Sequence, residues 1–411
     1  MSFEDKLDRY AELLVTHGAN VQPGQMLLLT AEAAVRDFAV RVVDAAYRRG
    51  AKSVTLDLID ARAARSRFLH ANEESLDFVP GFITAKFDEW VENKGATIRL
   101  VGSEYPDILS DLPPAKLNRA RVAQYHAAKR FYDDGIGRGQ VHWTVAAAAT
   151  EGWAKKVFPD LYGKDGERKL WDEILRLVRA DREDCLAAWD EHNEKLHHRG
   201  KALSEMSISE LHFTGPGTDL TVGLSKKAVF KGGTDIGPYG VPFEPNLPTE
   251  EVFTTPDWRR TTGSVRVTRP FLVNGKLIED LKLEFSEGKV SSVEASSGKE
   301  TYAEYIQSDP GASRLGEVAL VGIDSPVFQS GLVFQEILFD ENAACHIAVG
   351  SAYKSCLDGG ETMTPDQLVE VGCNESSAHT DMMISDEQVN VVARTYGGDE
   401  VTLLLNGEWQ I

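Results

Sequence analysis

Hydrophobic and polar positions follow two different periods along the chain, and the change falls near residue 205. Over 4–18, Leu7, Tyr10, Leu13 and Leu14 recur at helical spacing. This predicts an amphipathic helix broken by the turn residues of 18–24. Met26–Thr30 is an apolar run of strand length. The next stretch, 31–49, carries Phe38, Val42, Val43 and Ala46 at helical spacing and stops at Gly50, and Ser53–Leu58 reads as strand again. Strand, helix and strand in this order predict a parallel sheet with a right-handed crossover. A helix over 81–93 and a strand over 96–101 repeat the unit. Helices are expected at 114–131 and through 151–204, with an apolar stretch at 141–145. Residues 1–205 are therefore predicted to form an α/β N-terminal domain with an open, largely parallel sheet and a helical extension.

From Ile208 onward short alternating runs are separated by Gly, Pro and Asn turns, as at 208–213, 218–224, 263–267, 281–285 and 289–295. Asn274-Gly275 between two apolar triplets is a hairpin turn signal, and 389–395 with 401–406 predicts a second hairpin. Residues 206–411 are predicted to be a β-rich α+β C-terminal domain, built as a bent sheet or a partly closed barrel.

Composition narrows the function. The 411 residues are 42% hydrophobic and 26% charged, as in a globular protein, and the net charge is −20. A surface this acidic repels phosphates, which argues against nucleic acid and against anionic membranes. The N-terminal segment has no signal-like apolar core and no run reaches membrane-spanning length, so a cytoplasmic location is expected. The four cysteines form no CxxC pair, and Cys345 is expected to be a buried packing thiol. The glycines of 135–139 complete neither phosphate-loop pattern and read as a plain loop. His197 and His198 are adjacent on a helix and read as surface.

Candidate chemistry concentrates in 341–381, which holds Glu341, His346, Tyr353, His379 and Asp381 in a chain with ten histidines. His379 and Asp381 are two apart, so on a strand both side chains leave the same face. Imidazole beside carboxylate is metal-ligand chemistry. Upstream, Glu251 sits in a proline-bounded loop that leads into an apolar strand, and Glu317 precedes an apolar run. A carboxylate drawn into an apolar sheet has to be paired or bound to a metal. Arg266 and Arg269 are expected either to face solvent or to contact a peptide carboxylate.

Four motifs, PTEEVFTTP (248–256), RLGEVALV (314–321), ENAACHIAVGSAY (341–353) and SSAHTDMMI (376–384), occur in this order and spacing. Together they resemble the thermophilic-type metalloaminopeptidases, the aminopeptidase T and aminopeptidase S family, and the likeness extends over essentially the whole chain. The chain departs from the family pattern at Glu250, where glycine is common, and at Ala146–Ala149, where a proline is usual.

The resemblance implies an α/β domain followed by a β-rich catalytic domain, a homodimer, and removal of N-terminal amino acids from peptides with a free N-terminus. It implies two divalent metal ions (Zn, Co, Mn or Mg), with Glu251, Glu317, His346, His379 and Asp381 as ligands. Glu341 and Tyr353 fall in or against the metal shell, with Glu317, Tyr353 and Glu341 as the catalytic set. Two metals activate water and stabilise an oxyanion together, which fits peptide hydrolysis. Glu317 is expected to bridge, while Glu341 and Glu250 are both open as general base. Two alternatives stand beside this reading. One is a mononuclear non-haem iron enzyme using His346, His379 and Asp381 as a facial triad. The other is a non-catalytic metal-binding homologue.

Overall fold

A computed structural model describes all residues, 1–411. The first helix, Phe3–Leu13, starts at Ser2, whose side chain accepts from the Asp5 amide while the Asp5 carboxylate accepts from the Ser2 amide. That reciprocal cap fixes the start, and Leu7, Tyr10, Ala11 and Leu13 form the buried stripe. The helix widens into a π-turn over Leu14–Gly18.

Four strands follow: β1 (Met26–Glu32), β2 (Ser53–Ile59), β3 (Ala96–Val101) and β4 (His142–Ala147). They pair in parallel in the order β2-β1-β3-β4, with the short strand Asn246–Leu247 beside β4. β1 runs two residues beyond the predicted end, so the helix expected from Ala31 begins at Arg36 after a 3-10 turn. The apolar stretch at 141–145 is largely β4. A helix at Ala61–His70 is unanticipated, because it buries no residue and so has no apolar stripe to read.

The rest is antiparallel. One open sheet has eight strands in the order Lys289–Glu294, Lys282–Ser286, Pro256–Arg266, Thr218–Leu224, Ile208–Gly215, Asn390–Thr395, Glu400–Leu405 and Glu408–Trp409. Its first and last strands do not pair, so it is not a barrel. Asn274 and Gly275 have φ of 48° and 75°, the left-handed values a two-residue hairpin turn demands, and join Phe271–Val273 to Lys276–Ile278. A second sheet has four strands in the order Val252–Thr254, Leu315–Leu320, His346–Gly350 and His379–Met383. Its two middle strands are buried at every position, which is why they read as continuous apolar runs.

Contacts group the chain into two compact units, each discontinuous in sequence. One comprises Met1–Leu112, Ala123–Glu194 and Gly233–Thr249. The other comprises Pro113–Val122, Lys195–Gly232 and Glu250–Ile411. The core of the second includes Phe213, Leu220, Val265, Leu283, Val318, Ile347 and Met382. No helix is long and apolar enough to cross a membrane.

Candidate metal centre

Strand register gathers the side chains. Glu317 lies opposite Ala348, and Ala348 lies opposite Asp381, so Glu317, Ala348 and Asp381 form one row across three strands. Residues in such a row share a face, and so do residues two apart on a strand. His346 is two from Ala348 and His379 is two from Asp381, so both imidazoles rise from the face that carries Glu317. The small Ala348 side chain leaves the space between the two carboxylates open. Glu251 immediately precedes the outer strand Val252–Thr254, which pairs with the Glu317 strand.

The resulting contacts are short. Glu251 Oε2 lies 2.8 Å from His346 Nε2. Glu317 faces both histidines, with Oε1 4.0 Å from His346 Nε2 and Oε2 3.4 Å from His379 Nε2. His379 Nε2 is also 3.9 Å from Asp381 Oδ1. Two sets of donor atoms each fall within 4.8 Å of one another: Glu251, Glu317 and His346, and Glu317, His379 and Asp381. Glu317 belongs to both. All five are buried except His379, which is partly exposed.

Each imidazole is held from behind. His346 Nδ1 is 3.1 Å from the Ala344 carbonyl, and His379 Nδ1 is 2.8 Å from the Ser351 carbonyl. A carbonyl accepts, so each Nδ1 carries the hydrogen and each Nε2 is turned to the carboxylates, the orientation of metal-binding histidines.

Four carboxylates, Glu251, Glu317, Glu341 and Asp381, meet two imidazoles in this site. Burial pushes the Glu317 pKa up to about 7, against the pull of His379. Burial, reinforced by Asp381 and Glu251, holds Glu341 well above the carboxylate range. Burial alone would lower both histidines, but Glu251 holds His346 well above its usual value, and Glu317 and Asp381 carry His379 to about 9. Buried carboxylates that take up protons beside imidazoles that refuse to lose theirs are a site built for positive charge. Glu251 Oε2 is buried, and its partner is His346 Nε2 at 2.8 Å. Oxygen and imidazole donors, mostly buried, preoriented and gathered in two sets that share Glu317, fit divalent cations.

The other predicted residues flank this cluster. Glu341 is buried in the turn Glu341–Ala343 and belongs to neither donor set, although it feels the charges of Asp381 and Glu251. The Tyr353 ring packs edge-on against His379, with centroids 5.4 Å apart, and against Phe253 at 5.5 Å. Burial and the nearby carboxylates Glu317 and Asp381 hold its phenol well above the ordinary value, so it keeps its proton. Glu250 is buried, and its charge is felt by Arg199, which also faces Asp324. Arg266 pairs with Asp386 at 3.1 Å and Arg269 with the buried Asp340 at 3.1 Å, so both belong to structural ion pairs. His197 and His198 are exposed and the Cys345 thiol is buried against the Val321 backbone.

Two residues were not anticipated. Asn342 accepts from the Glu250 amide at 2.6 Å and approaches Glu341 Oε1 at 3.4 Å, tying the Glu251 loop to the Glu341 turn. Tyr305 bonds the backbone of His379. Both act on backbone groups, which leave no signature in the spacing of side chains.

Comparison with known proteins agrees with this chemistry. The family described as thermophilic metalloprotease (M29) matches residues 3–409. The chain is 38% identical over 411 residues to aminopeptidase PepS of Streptococcus thermophilus, spanning 100% of this chain and 99% of that protein. It is also 38% identical over 410 residues to aminopeptidase T of Thermus thermophilus, spanning 100% of both. The solved structure of wild-type AmpT from Thermus thermophilus superposes with a TM-score of 0.90 at 38% identity, covering 100% of each chain.

Proposed function

The chain belongs to the M29 family of thermophilic metalloproteases, and from that membership we propose how its candidate centre removes an N-terminal residue. The protein is a metal-dependent aminopeptidase, a hydrolase that uses divalent metal. The proposal concerns the number of ions and the residues that hold them. Glu251 and His346 would hold one ion and His379 and Asp381 a second, with Glu317 a donor common to both sets. The native ions come from zinc, cobalt, manganese or magnesium, the cations these donors accept. The observation that carries this reading is that the two oxygens of Glu317 face different histidines. A single-iron facial triad leaves Glu251 and Glu317 without a role, and nothing favours it.

Bound divalent ions supply Lewis acidity toward the scissile carbonyl and acidify the attacking water. The chain's residues do the rest. Ala344 and Ser351 fix the imidazole tautomers, and Asn342 holds the Glu251 loop beside Glu341. Tyr353, which retains its proton, donates to the oxygen of the scissile carbonyl as negative charge develops there. Glu341 would be the general base: its raised proton affinity belongs to the cluster without cations, and beside bound divalent ions it would ionise, take the proton of the attacking water and pass it to the leaving amine. Glu250, in the field of Arg199, is left out of that role. The surplus of carboxylates suits a substrate whose free α-amine is cationic. Further parts of the proposal are peptide substrates with a free N-terminus, a homodimeric state, a cytoplasmic location, and residues 206–411 as the catalytic domain.

The test is metal content per chain beside hydrolysis of an aminoacyl p-nitroanilide, before and after chelation and re-addition of cobalt or zinc. Two ions per chain and metal-restored release are expected. One iron per chain with no amide cleavage would overturn the reading.

A further inference from the structure

His379 and Asp381 lie on the edge strand of the four-stranded sheet. On an antiparallel edge strand every second residue turns its N–H and C=O away from the sheet, where no partner strand exists. His379 is such a residue, as is Met383, whose carbonyl accepts from the Thr268 amide at 2.7 Å. At His379 a side chain supplies the missing partner. The Tyr305 hydroxyl accepts from the His379 N–H at 2.9 Å and donates to the His379 carbonyl at 2.9 Å. One hydroxyl satisfies both backbone groups of a candidate metal ligand.

The hydroxyl is itself held. Tyr305 ends the helix Lys299–Tyr305 and is buried. The Arg121 guanidinium lies over its ring, 4.8 Å from the centroid, and donates to the Ser377 carbonyl. Asp309 accepts from the Ser377 amide at 2.8 Å and from the Ser376 hydroxyl at 2.8 Å. The segment leading into the ligand strand is thus clamped at Ser376, Ser377 and His379. The His346 strand needs no such clamp, because it has a neighbour strand on each side.

We propose that Tyr305, with its ring set by Arg121, is a positioning residue for the half of the metal centre built on His379 and Asp381, and not for the half built on Glu251 and His346. The proposal rests on the two-ion reading above. Tyr305 touches no reacting atom; it fixes the backbone from which the imidazole projects, and losses in such supporting contacts typically weaken metal binding about 10–100-fold.

The experiment is calorimetric and spectroscopic titration of metal-free full-length protein with cobalt(II). Two binding classes are expected in the wild type. In Tyr305→Phe one class weakens by about 10–100-fold while the other is unchanged, and turnover returns when cobalt saturates both. Arg121→Met weakens the same class by a smaller factor, and it carries the test if Tyr305→Phe does not fold. His379→Ala and His346→Ala identify the classes. Wild-type binding in Tyr305→Phe while His379→Ala loses one class overturns the role of Tyr305 alone. Equal weakening of both classes in Tyr305→Phe overturns it too, by showing a general loss of structure. Retention of both classes in His379→Ala removes His379 from the metal shell and overturns the proposal with it, and a single class in the wild type overturns the two-ion reading.

Discussion

Glu317 stands inside a strand of otherwise apolar residues, where an ionised carboxylate is costly unless something compensates it. Glu317→Gln keeps the shape and removes the charge, so it relieves repulsion from Asp381 and Glu251 while deleting the shared donor. The expected result is a folded protein that has lost more than about 100-fold in turnover, since even supporting contacts cost 10–100-fold. Its metal content falls as well. Aminoacyl p-nitroanilide assays and elemental analysis of the same sample check this, and wild-type turnover would remove the bridging role. Tyr353→Phe makes a different prediction. The phenol keeps its proton beside His379 and, in this proposal, acts on the substrate and not as a metal ligand, so metal content stays while kcat falls about 10²–10³-fold, the cost of one oxyanion donor. An unchanged kcat would exclude that role. At this scale the ligand types were legible because a carboxylate or imidazole beside an apolar run is conspicuous. The choice between Glu250 and Glu251 rested on the motif, and the packing explains it: Glu251 meets His346, while the charge of Glu250 is felt by Arg199.

A parallel sheet brings the carboxyl ends of its strands to one side, and here that gathers acidic residues. Glu32 ends β1, Asp60 follows β2 and Glu104 lies just beyond β3. Burial pushes the Glu32 pKa up to about 7, reinforced by Glu104 and Asp60 and opposed by Arg99. A carboxyl whose folded pKa is raised binds its proton more tightly when native. Stability is therefore present below the unfolded pKa and is lost as pH rises from about 4.5 to about 7. Glu32→Gln removes that penalty. Because the group is partly exposed, screening limits the gain to about 1 kcal/mol, or about 2–4 °C in Tm for a domain of roughly 150–250 residues. Thermal melts at pH 8 should show the gain and melts at pH 5 should not; equal shifts at both would contradict it. The strands themselves were legible from apolar runs and glycine stops. The Ala61–His70 helix was not, since no position in it is buried. Nor was the register that aligns Glu317, Ala348 and Asp381, because it depends on an irregularity between Leu315 and Glu317 that shifts the pairing.

At the scale of the molecule, the change of texture near 205 announced two kinds of architecture. The chain's returns between compact units, at 113–122, 195–232 and 233–249, have no local signature, because contact across long sequence separation is not a property of any window of residues. The net charge of −20 was legible, but only the structure separates the surface part from the acidic residues buried in one site. That separation has a measurable consequence. A cation that binds the native state and not the unfolded one stabilises it by mass action, by about 2.7 kcal/mol per site at 100 times its Kd. Chelation should therefore lower the wild-type Tm by roughly 5–10 °C, and re-added cobalt or zinc should restore it. In Glu317→Gln chelation should change little, since the shared donor is already gone. Salt distinguishes this from a surface effect. Exposed charges beyond about 10 Å are screened at 0.1 M salt, whereas buried charges are screened far less. The Tm lost on chelation should be nearly the same at low salt and at 0.5 M sodium chloride. If salt abolished the loss, the stabilising cations would be bound to the acidic surface and not to the buried carboxylates around Glu317.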